Sequence, residues 1–330
     1  MRLWHRPWRE RGVAVITALL LTTLAISIVT SLFWQQQVQV RSMENQRLHL
    51  QTKWILRGAL DWATLVLFQD GIDHRQYTSL DQVWATPLAE TRLDQYVERQ
   101  RVEGETFDAS LSGNITDACS RYNLRNLGMS KGHPNEVAVE VFGRLLRNLQ
   151  LDPGLARRVA AFVAAGLPPG AAPPDADQAT QPQATPVIGA PVKILEVEDL
   201  LAVPGVTPAI VERLRPFVTV LPDPAPVNVN TAPAEVLAAV VPNMSVSEAN
   251  TLIVRRKQAP WRGKEYFSTE VGSENDRPLA GETYDVRSDW FLVDTRIRLD
   301  RAALDAQALI HRSGALVAGG GPKVEWIRQY

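Results

Sequence analysis

The sequence predicts an α+β fold in which a long N-terminal membrane-spanning helix packs on an antiparallel sheet, with a large all-α domain inserted in the chain. Three observations predict this fold. An uncharged apolar stretch near the N-terminus continues into an amphipathic helix, the middle of the chain contains successive helix–turn–helix patterns, and residues 291–330 alternate with the period of β-strands. Because the long helix precedes the helical region and the strands that should pack under it follow that region, we interpret the region as an insertion.

Composition limits the classes of function. The chain has 330 residues, of which 45% are hydrophobic and 22% are charged, values typical of a packed protein of about two domains. Its net charge of −1 argues against a strongly basic nucleic-acid-binding protein. The single cysteine, Cys119, cannot form an intrachain disulfide and is interpreted as a small buried hydrophobic residue. We found no common metalloprotease, hydrolase or nucleotide-binding motif, so we predict that the protein is not an enzyme.

The first element is a membrane helix over residues 13–34, which contain no charged side chain. At about 1.5 Å per residue this stretch spans roughly 33 Å, which matches the hydrocarbon core of a bilayer. Four arginines precede it, which orients the N-terminus toward the cytoplasm and places the rest of the chain on the other side. A cleaved secretory signal is disfavoured by the length of the stretch and the lack of an A-x-A site.

We expect this helix to continue beyond the bilayer as far as Phe68, because residues 35–68 contain no proline. Apolar residues recur there largely at spacings of three and four, so one face should lie on the sheet, although a coiled-coil partner helix would give a similar pattern. The apolar residues are Met43, Leu48, Leu50, Trp54, Ile55, Ala59, Trp62, Ala63 and Val66.

The middle of the chain contains weak internal repeats. The segments DACSRYNLRNL (117–127) and VNVNTAPAEVL (227–237) each place a short strand-like stretch and asparagines before a helix, so we predict that Asn126 and Asn230 are helix N-caps. Helix–turn–helix patterns cover residues 141–163, 194–218 and 236–256. They are interrupted at 166–191 by a Pro/Ala-rich segment that we interpret as an extended surface loop.

The C-terminal strands complete the predicted organisation. The segment FLVDTRIRLD (291–300) and the two segments AQALIHRSG and KVEWIRQY that follow are predicted as antiparallel strands. The predicted divisions are a leader at 1–12, a transmembrane segment at 13–34, the first part of the α/β domain at 35–125, the inserted helical domain at 126–262 and the second part of the α/β domain at 263–330.

An acidic segment near residue 270 is a candidate metal site. Six acidic residues lie within 21 positions, mixed with glycine, serine and asparagine, and such oxygen-rich loops suit Ca²⁺. The spacing does not match an EF-hand, and a solvated acidic loop is the alternative. The candidate ligands are Glu265, Glu270, Glu274 and Asp276.

The N-terminus resembles the signal of type IV pilins, since a short basic leader ends at Gly12 and the apolar sequence VAVIT follows. This resemblance implies that the prepilin peptidase cleaves between Gly12 and Val13 and that the new amine of Val13 is methylated. The fifth residue of a mature pilin is nearly always glutamate, and here it is Thr17. The lack of this glutamate is characteristic of the minor pseudopilin K of type II secretion systems.

Further blocks resemble the general secretion pathway protein K family: NLRNL, LLAVPGVTPAIVERLRPFVTVLP, NVNTAPAEVL and VRSDWFLVDTRI. The resemblance implies a pilin-like fold, a single-pass protein of the bacterial inner membrane and a periplasmic location for most of the chain. It also implies a place at the pseudopilus tip in a complex with minor pseudopilins I and J, and a role in starting pseudopilus assembly for export of folded proteins across the outer membrane. Structural calcium is known in this family, which strengthens the expectation of a Ca²⁺ site.

A membrane-anchored helix-hairpin-helix DNA-binding protein of a competence system is the alternative. The segment LLAVPGVTPAIVERL resembles half of that motif, which needs a glycine-rich hairpin and adjacent basic residues. Here Gly205 is followed by Val206 and Thr207, so the second glycine is absent and we expect no nucleic-acid partner. The arginines that keep the alternative open are Arg213, Arg215, Arg255 and Arg256.

Overall fold

The computed structural model describes residues 11–93, 108–169, 193–272, 283–312 and 321–330. In chain order the helices and strands are α1 (Arg11–Asp73), β1 (Leu88–Arg92), β2 (Ala109–Asp117), β3 (Tyr122–Asn123), β4 (Gly128–Ser130), β5 (His133–Pro134), α2 (Glu136–Asn148), α3 (Leu155–Ala165), α4 (Pro208–Leu214), β6 (Val218–Thr219), β7 (Val227–Asn228), α5 (Ala234–Val240), α6 (Val246–Gln258), α7 (Lys264–Val271), β8 (Tyr284–Asp285), β9 (Trp290–Leu299), β10 (Ala302–His311) and β11 (Lys323–Gln329). Short 3-10 helices at Val83–Ala85 and Val197–Ala202 also contribute to the packing.

The long N-terminal helix is confirmed, and it extends past Phe68 to Asp73. Its 63 residues span about 95 Å at the standard helical rise. The C-terminal third of α1 lies on a five-stranded antiparallel sheet with the strand order β1-β2-β9-β10-β11. The predicted α+β arrangement of a long helix on an antiparallel sheet is therefore present.

One face of α1 is buried against the sheet, and it contains part of the predicted apolar set: Ala59 and Ala63 are buried, whereas the two predicted tryptophans are not. Leu56, Leu60 and Leu67 are buried and pack with sheet residues such as Phe291. Trp54 and Trp62 are 74% and 50% exposed. In an α-helix each residue advances by about 100°, so Trp54, two positions before Leu56, points away from the sheet.

The inserted domain connects the end of β2 to the start of β9, which are paired neighbours in the sheet. We call residues 118–289 the helical module. Phe267 and Val271 of α7, together with Tyr284 of β8, belong to its hydrophobic core. The described residues 263–272 and 283–289 therefore pack with the inserted helices, and the predicted limits of 126 and 262 both fall inside the helical module.

The helical module consists of two halves with similar connections. The first half begins with β3 and ends with β6, and these two strands pair in parallel; the second half begins with β7 and ends with β8, which also pair in parallel. The two repeat segments of the sequence therefore lie at the starts of the two halves of the helical module.

The predicted capping roles of Asn126 and Asn230 are wrong. The Nδ2 of Asn126 donates to the carbonyl of Ala225 at 2.8 Å, and its Oδ1 accepts from the Ala225 amide at 3.0 Å. Asn230 holds the backbone of Trp261 in the same way, with distances of 2.8 and 2.9 Å. A side-chain amide offers a donor and an acceptor together, so each asparagine satisfies both polar groups of one residue in a connecting segment.

The three predicted helix–turn–helix patterns form hairpins, with one change. The first arm of the second pattern is the 3-10 helix Val197–Ala202 instead of an α-helix. Each hairpin turn contains one residue with a left-handed backbone: Gln150 (φ 58°), Gly205 (φ 90°) and Asn243 (φ 57°). Ser245 caps α6 through a capping box with Glu248.

Candidate functional site

The first functional element is the exposed N-terminal part of α1. Among the described residues, this is the one helix that is long and apolar enough to cross a membrane by length and composition. Side chains from Val13 to Arg47 are all exposed in the isolated chain. The predicted cleavage position, between Gly12 and Val13, lies in the first turn of α1.

Thr17 supplies no charge to this apolar segment. Its Oγ1 donates within α1 to the carbonyls of Val13 and Ala14, both at 3.0 Å. A hydroxyl that is bonded to its own helix is compatible with hydrocarbon, whereas a carboxylate there would need a partner. The side chain at position 17 therefore offers no ionic partner to another subunit.

The second element is a buried polar junction at the other end of α1. Asp70 accepts from Nη1 of Arg312 at 2.7 Å, and both side chains are about 95% buried. Nη2 of Arg312 donates to Oγ1 of Thr78 at 2.8 Å and to the carbonyl of Ser288 at 2.9 Å. The guanidinium also lies over the ring of Phe291 at 4.6 Å. Arg312 thus ties the end of α1 to the segment in which the helical module returns to the sheet.

Asp117 is the centre of the same junction. Its Oδ2 accepts from Nδ2 of Asn228 at 3.0 Å, from Oγ1 of Thr231 at 2.6 Å and from Oγ of Ser288 at 2.5 Å. Its Oδ1 accepts from the amide of Cys119 at 2.8 Å. Asp117 is the last residue of β2, so one carboxylate fixes the point where the chain leaves the sheet and the point where it returns.

Burial dominates the electrostatics of this junction. Burial raises the pKa of Asp117, while its hydrogen bonds with Ser288, Thr231, Cys119 and Asn228 act in the opposite direction. The neighbouring thiol of Cys119 is buried as the sequence predicted. Burial, and secondarily the charge of Asp117, raises the pKa of this thiol, so it is a poor source of thiolate.

An apolar contact supports the junction on the face of the sheet opposite α1. Leu292 of β9 and Leu309 of β10 pack there against Cys119, Leu221 and Ala225 of the helical module. Further along β9 the residues on this face are Asp294, Arg296 and Arg298, which are charged. Along β9 this face is therefore apolar only where the helical module covers it.

The acidic segment is described in part. Glu270 accepts from Nε1 of Trp261 at 2.7 Å and pairs with Arg255, so both of its oxygens are engaged. Glu265 and Glu270 are five positions apart on α7, which places them on different faces of that helix. Glu274 and Asp276 lie outside the described residues. No cluster of three or more potential metal-ligating side chains occurs within the described part of the chain.

Three of the four arginines that would support DNA binding already have partners. Arg215 pairs with Glu198 and Glu212, and Arg255 pairs with Glu270. Arg256 is buried and donates to the carbonyl of Val229 at 2.7 Å. Burial lowers the pKa of Arg256 to about 10. Arg215 and Arg255 are thus engaged in ion pairs at the surface and Arg256 in a buried hydrogen bond, so three of the four candidate arginines already have partners within the helical module.

Comparisons with known proteins agree with this architecture. Two family models described as type II secretion system protein K match residues 120–223 and 227–287, which together are half of the chain. The chain belongs to the type II secretion system protein K family. The limits of the two models follow the two halves of the helical module, which begin at β3 and β7.

Full-length relatives extend the match beyond the helical module. The chain is 26% identical over 327 residues to type II secretion system protein K of Pectobacterium carotovorum subsp. carotovorum, covering 94% of each sequence. It is 29% identical over 304 residues to type II secretion system protein K of Pseudomonas aeruginosa, covering 88% of this chain and 85% of that protein. Membership in the protein K family thus applies to nearly the whole chain.

A solved structure has the same fold. The crystal structure of the GspK–GspI–GspJ complex from the type II secretion system of enterotoxigenic Escherichia coli contains a chain that superposes with a TM-score of 0.63 at 17% identity. The superposition covers 87% of this chain and 99% of that chain. The fold of the protein K family is thereby confirmed for this sequence.

The buried junction was not predicted from the sequence. NVNTAPAEVL and VRSDWFLVDTRI were noted as an internal repeat, a strand and blocks of resemblance, yet no role was predicted for the Asn228, Thr231 and Ser288 that they contain. Small polar residues at strand ends are common in loops, and the sequence carries no sign that these three converge on Asp117. Their convergence depends on the pairing of β2 with β9, which only the tertiary structure provides.

Proposed function

We propose that this protein is a minor pseudopilin at the tip of the type II secretion pseudopilus, where it helps to start pseudopilus assembly for export of folded proteins across the outer membrane. The supporting observation is the position of the helical module. The module is fixed to the sheet through Asp117, and Arg312 links that junction to Asp70 at the end of α1 farthest from the apolar segment. A following subunit would have to stack over this end, so the module favours a terminal position.

The proposed location is the bacterial inner membrane, with α1 as a single span, the N-terminus in the cytoplasm and most of the chain in the periplasm. The arginine-rich leader before Gly12 supports this orientation. The prepilin peptidase would remove residues 1–12 and leave Val13 as the methylated N-terminus. The intact mass of the protein purified from membranes measures both events, and a mass that includes the leader would contradict them.

The proposed partners are minor pseudopilins I and J. Support comes from the solved complex, whose GspK chain has this fold and is bound to GspI and GspJ. The face of α1 that carries Trp54 and Trp62 is apolar, exposed and turned away from the sheet, which suits packing against neighbouring subunit helices. Full-length protein, extracted in mild detergent from cells that also produce I and J, should co-purify with both. The proposal would be wrong if the protein purified with neither I nor J.

Calcium binding near residue 270 is a further part of the proposal. Glu265, Glu274 and Asp276 are the candidate ligands, and Glu270 would have to leave Arg255 and Trp261 before it could bind a metal. We expect Ca²⁺ to raise the unfolding midpoint of the full-length protein relative to EDTA, whereas Mg²⁺ should have little effect. The combined variant Glu274→Gln/Asp276→Asn should lose the difference. An equal midpoint of the wild type in Ca²⁺ and EDTA would remove the site from consideration.

A further inference from the structure

A groove in the helical module has an arginine-rich lining. Residues 121–165 contain seven Lys and Arg against three Asp and Glu, although the whole chain has a net charge of −1. Three of these arginines line an open groove of about 430 Å³ between α2 and α3. They are Arg144 and Arg147 from α2 and Arg157 from α3.

Gly143 lies at the floor of this groove, where it is buried between α2 and Ala156 of α3. A glycine inside a helix is unfavourable relative to alanine, so its presence needs a reason. Packing does not require it here, because a Cβ built on Gly143 would meet, among the described residues, only the Cβ of Ala156 at an ordinary 3.9 Å. Without a side chain at position 143, the groove stays wider between the arginines that line it.

The three guanidinium groups retain hydrogen-bonding capacity. Nε of Arg144 donates to the carbonyl of Ala239 at 2.6 Å, which fixes this side chain. The Arg147 side chain is exposed and makes no hydrogen bond or ion pair within the described parts of the chain. Arg157 lies 3.4 Å from Glu136, but both side chains are more than two-thirds exposed, so this pair is weak.

Burial lowers the pKa of Arg144, Glu140 raises it, and the positive charge of Arg147 lowers it again. Arg144 and Arg147 are three positions apart on α2, so they share one side of the helix and repel each other. An anion placed between them would relieve this repulsion. The electrostatics of the groove therefore favour a negatively charged ligand.

We propose that this groove binds an acidic segment of a protein partner, with its carboxylates paired to Arg144, Arg147 and Arg157. Planar guanidinium groups bind carboxylates through two parallel hydrogen bonds. Glu140 lines the same groove and Glu136 lies beside Arg157, so a continuous polyanion such as a nucleic acid would be repelled at both places. No residue of the buried junction lines the groove, so a partner can bind without displacing the helical module from the sheet.

Fluorescence anisotropy of a labelled ten-residue peptide in which glutamate alternates with glycine, titrated with the full-length protein in detergent, tests the proposal. We expect binding that weakens as salt is raised. The double variant Arg147→Gln/Arg157→Gln should bind about tenfold more weakly or worse. The control Arg213→Gln/Lys257→Gln also removes two charges from exposed side chains of the helical module, but outside the groove, and it should change binding less than twofold. The variant Glu136→Gln should bind at least as tightly as the wild type.

Several results would overturn the proposal. One is that the wild type does not bind the peptide, and another is that the groove variant and the control lose the same amount of peptide affinity. A third is that a ten-nucleotide single-stranded DNA binds as tightly as the peptide and depends equally on Arg147 and Arg157. Matching unfolding midpoints establish that the variants are folded. Association with I and J is a separate measurement, so the groove proposal and the tip proposal can fail independently.

Discussion

At the scale of single residues, Asp117 shows how one buried carboxylate can join two parts of a chain. Its four hydrogen-bond donors come from the residues that follow β2, from the start of the second half of the helical module, and from the segment before β9. Leaving buried donors without an acceptor costs about 1–3 kcal/mol for each group. Asp117 therefore couples the attachment of the helical module to the stability of the sheet.

The raised pKa of Asp117 predicts a pH dependence of stability. The folded protein holds this proton more tightly than the unfolded chain, so the proton-linked contribution is fully present below the ordinary pKa of 3.8 and is lost as pH rises through the higher folded pKa. We expect the unfolding midpoint of the wild type, measured relative to that of Asp117→Asn, to fall as pH rises above about 4.

Asp305 provides a control of opposite sign. The hydrogen bond from Arg296 lowers the pKa of this exposed carboxylate, so its contribution is present above pH 3.8 and is lost as pH falls. The wild type relative to Asp305→Asn should therefore show a small rise with pH only below about pH 4 and stay level from pH 4 to 8. A flat difference for Asp117→Asn between pH 4 and 8 would contradict the assigned role of Asp117.

At the scale of elements, α1 has two apolar faces with different roles. The face with Leu60 lies on the sheet, where Trp84 adds an edge-to-face contact with Phe291 at 5.2 Å. The other face, with Trp54 and Trp62, is exposed in the isolated chain. A helix that is apolar on two sides is typical of an element that packs within its own domain and also against another helix.

These two faces can be separated by mutation. Leu60→Ala removes a side chain that is 1% exposed and should lower the free energy of unfolding by about 2–5 kcal/mol. Trp54→Ala should change this free energy by less than about 0.5 kcal/mol, because the side chain is 74% exposed. Trp54→Ala should nevertheless reduce co-purification with I and J. Arg57→Ala, an exposed change on the same helix, serves as the control, and unchanged co-purification of Trp54→Ala would assign that face another role.

The sequence predicted elements with strong periodicity and failed where tertiary contacts decide. The proline-free stretch to Phe68 and the alternation at 291–300 were sufficient for α1 and β9. The buried face of α1 was predicted only in part: Ala59 and Ala63 are buried, but Trp54 and Trp62 are apolar by type and lie opposite Leu56 and Leu60. Asn126 and Asn230 preceded helices in the way that caps do, but their partners lie 99 and 31 residues away along the chain. Local pattern cannot identify partners at such separations.

At the scale of the whole molecule, the connection of the helical module determines where it lies. The chain leaves the sheet at Asp117 and returns at Trp290, and the adjacent residue Phe291 is paired with Asp117 in the β2–β9 ladder. A segment of 172 residues is thus attached through two neighbouring strand ends, both near the end of α1 at Asp70. The apolar segment lies at the opposite end of α1. This separation places the membrane anchor and the helical module at opposite ends of the subunit.

The last prediction combines Thr17 with this arrangement. A carboxylate at position 17 would offer the ionic pairing that other pilin-like subunits make inside the bilayer, but it would not remove the helical module from the opposite end. We therefore expect the variant Thr17→Glu to remain at the ends of sheared pseudopili, as the wild type should. Thr17→Ser, which keeps the hydroxyl, is the control for the substitution itself.

Gold-labelled antibody against the helical module, viewed by electron microscopy on sheared pseudopili, measures these positions. Label at regular internal positions in the wild type would overturn the tip assignment. Internal label that appears only with Thr17→Glu would show that the missing carboxylate, and not the helical module, keeps the subunit at the end. Terminal label in all three proteins is expected, because the space for a following subunit is occupied whichever side chain stands at position 17.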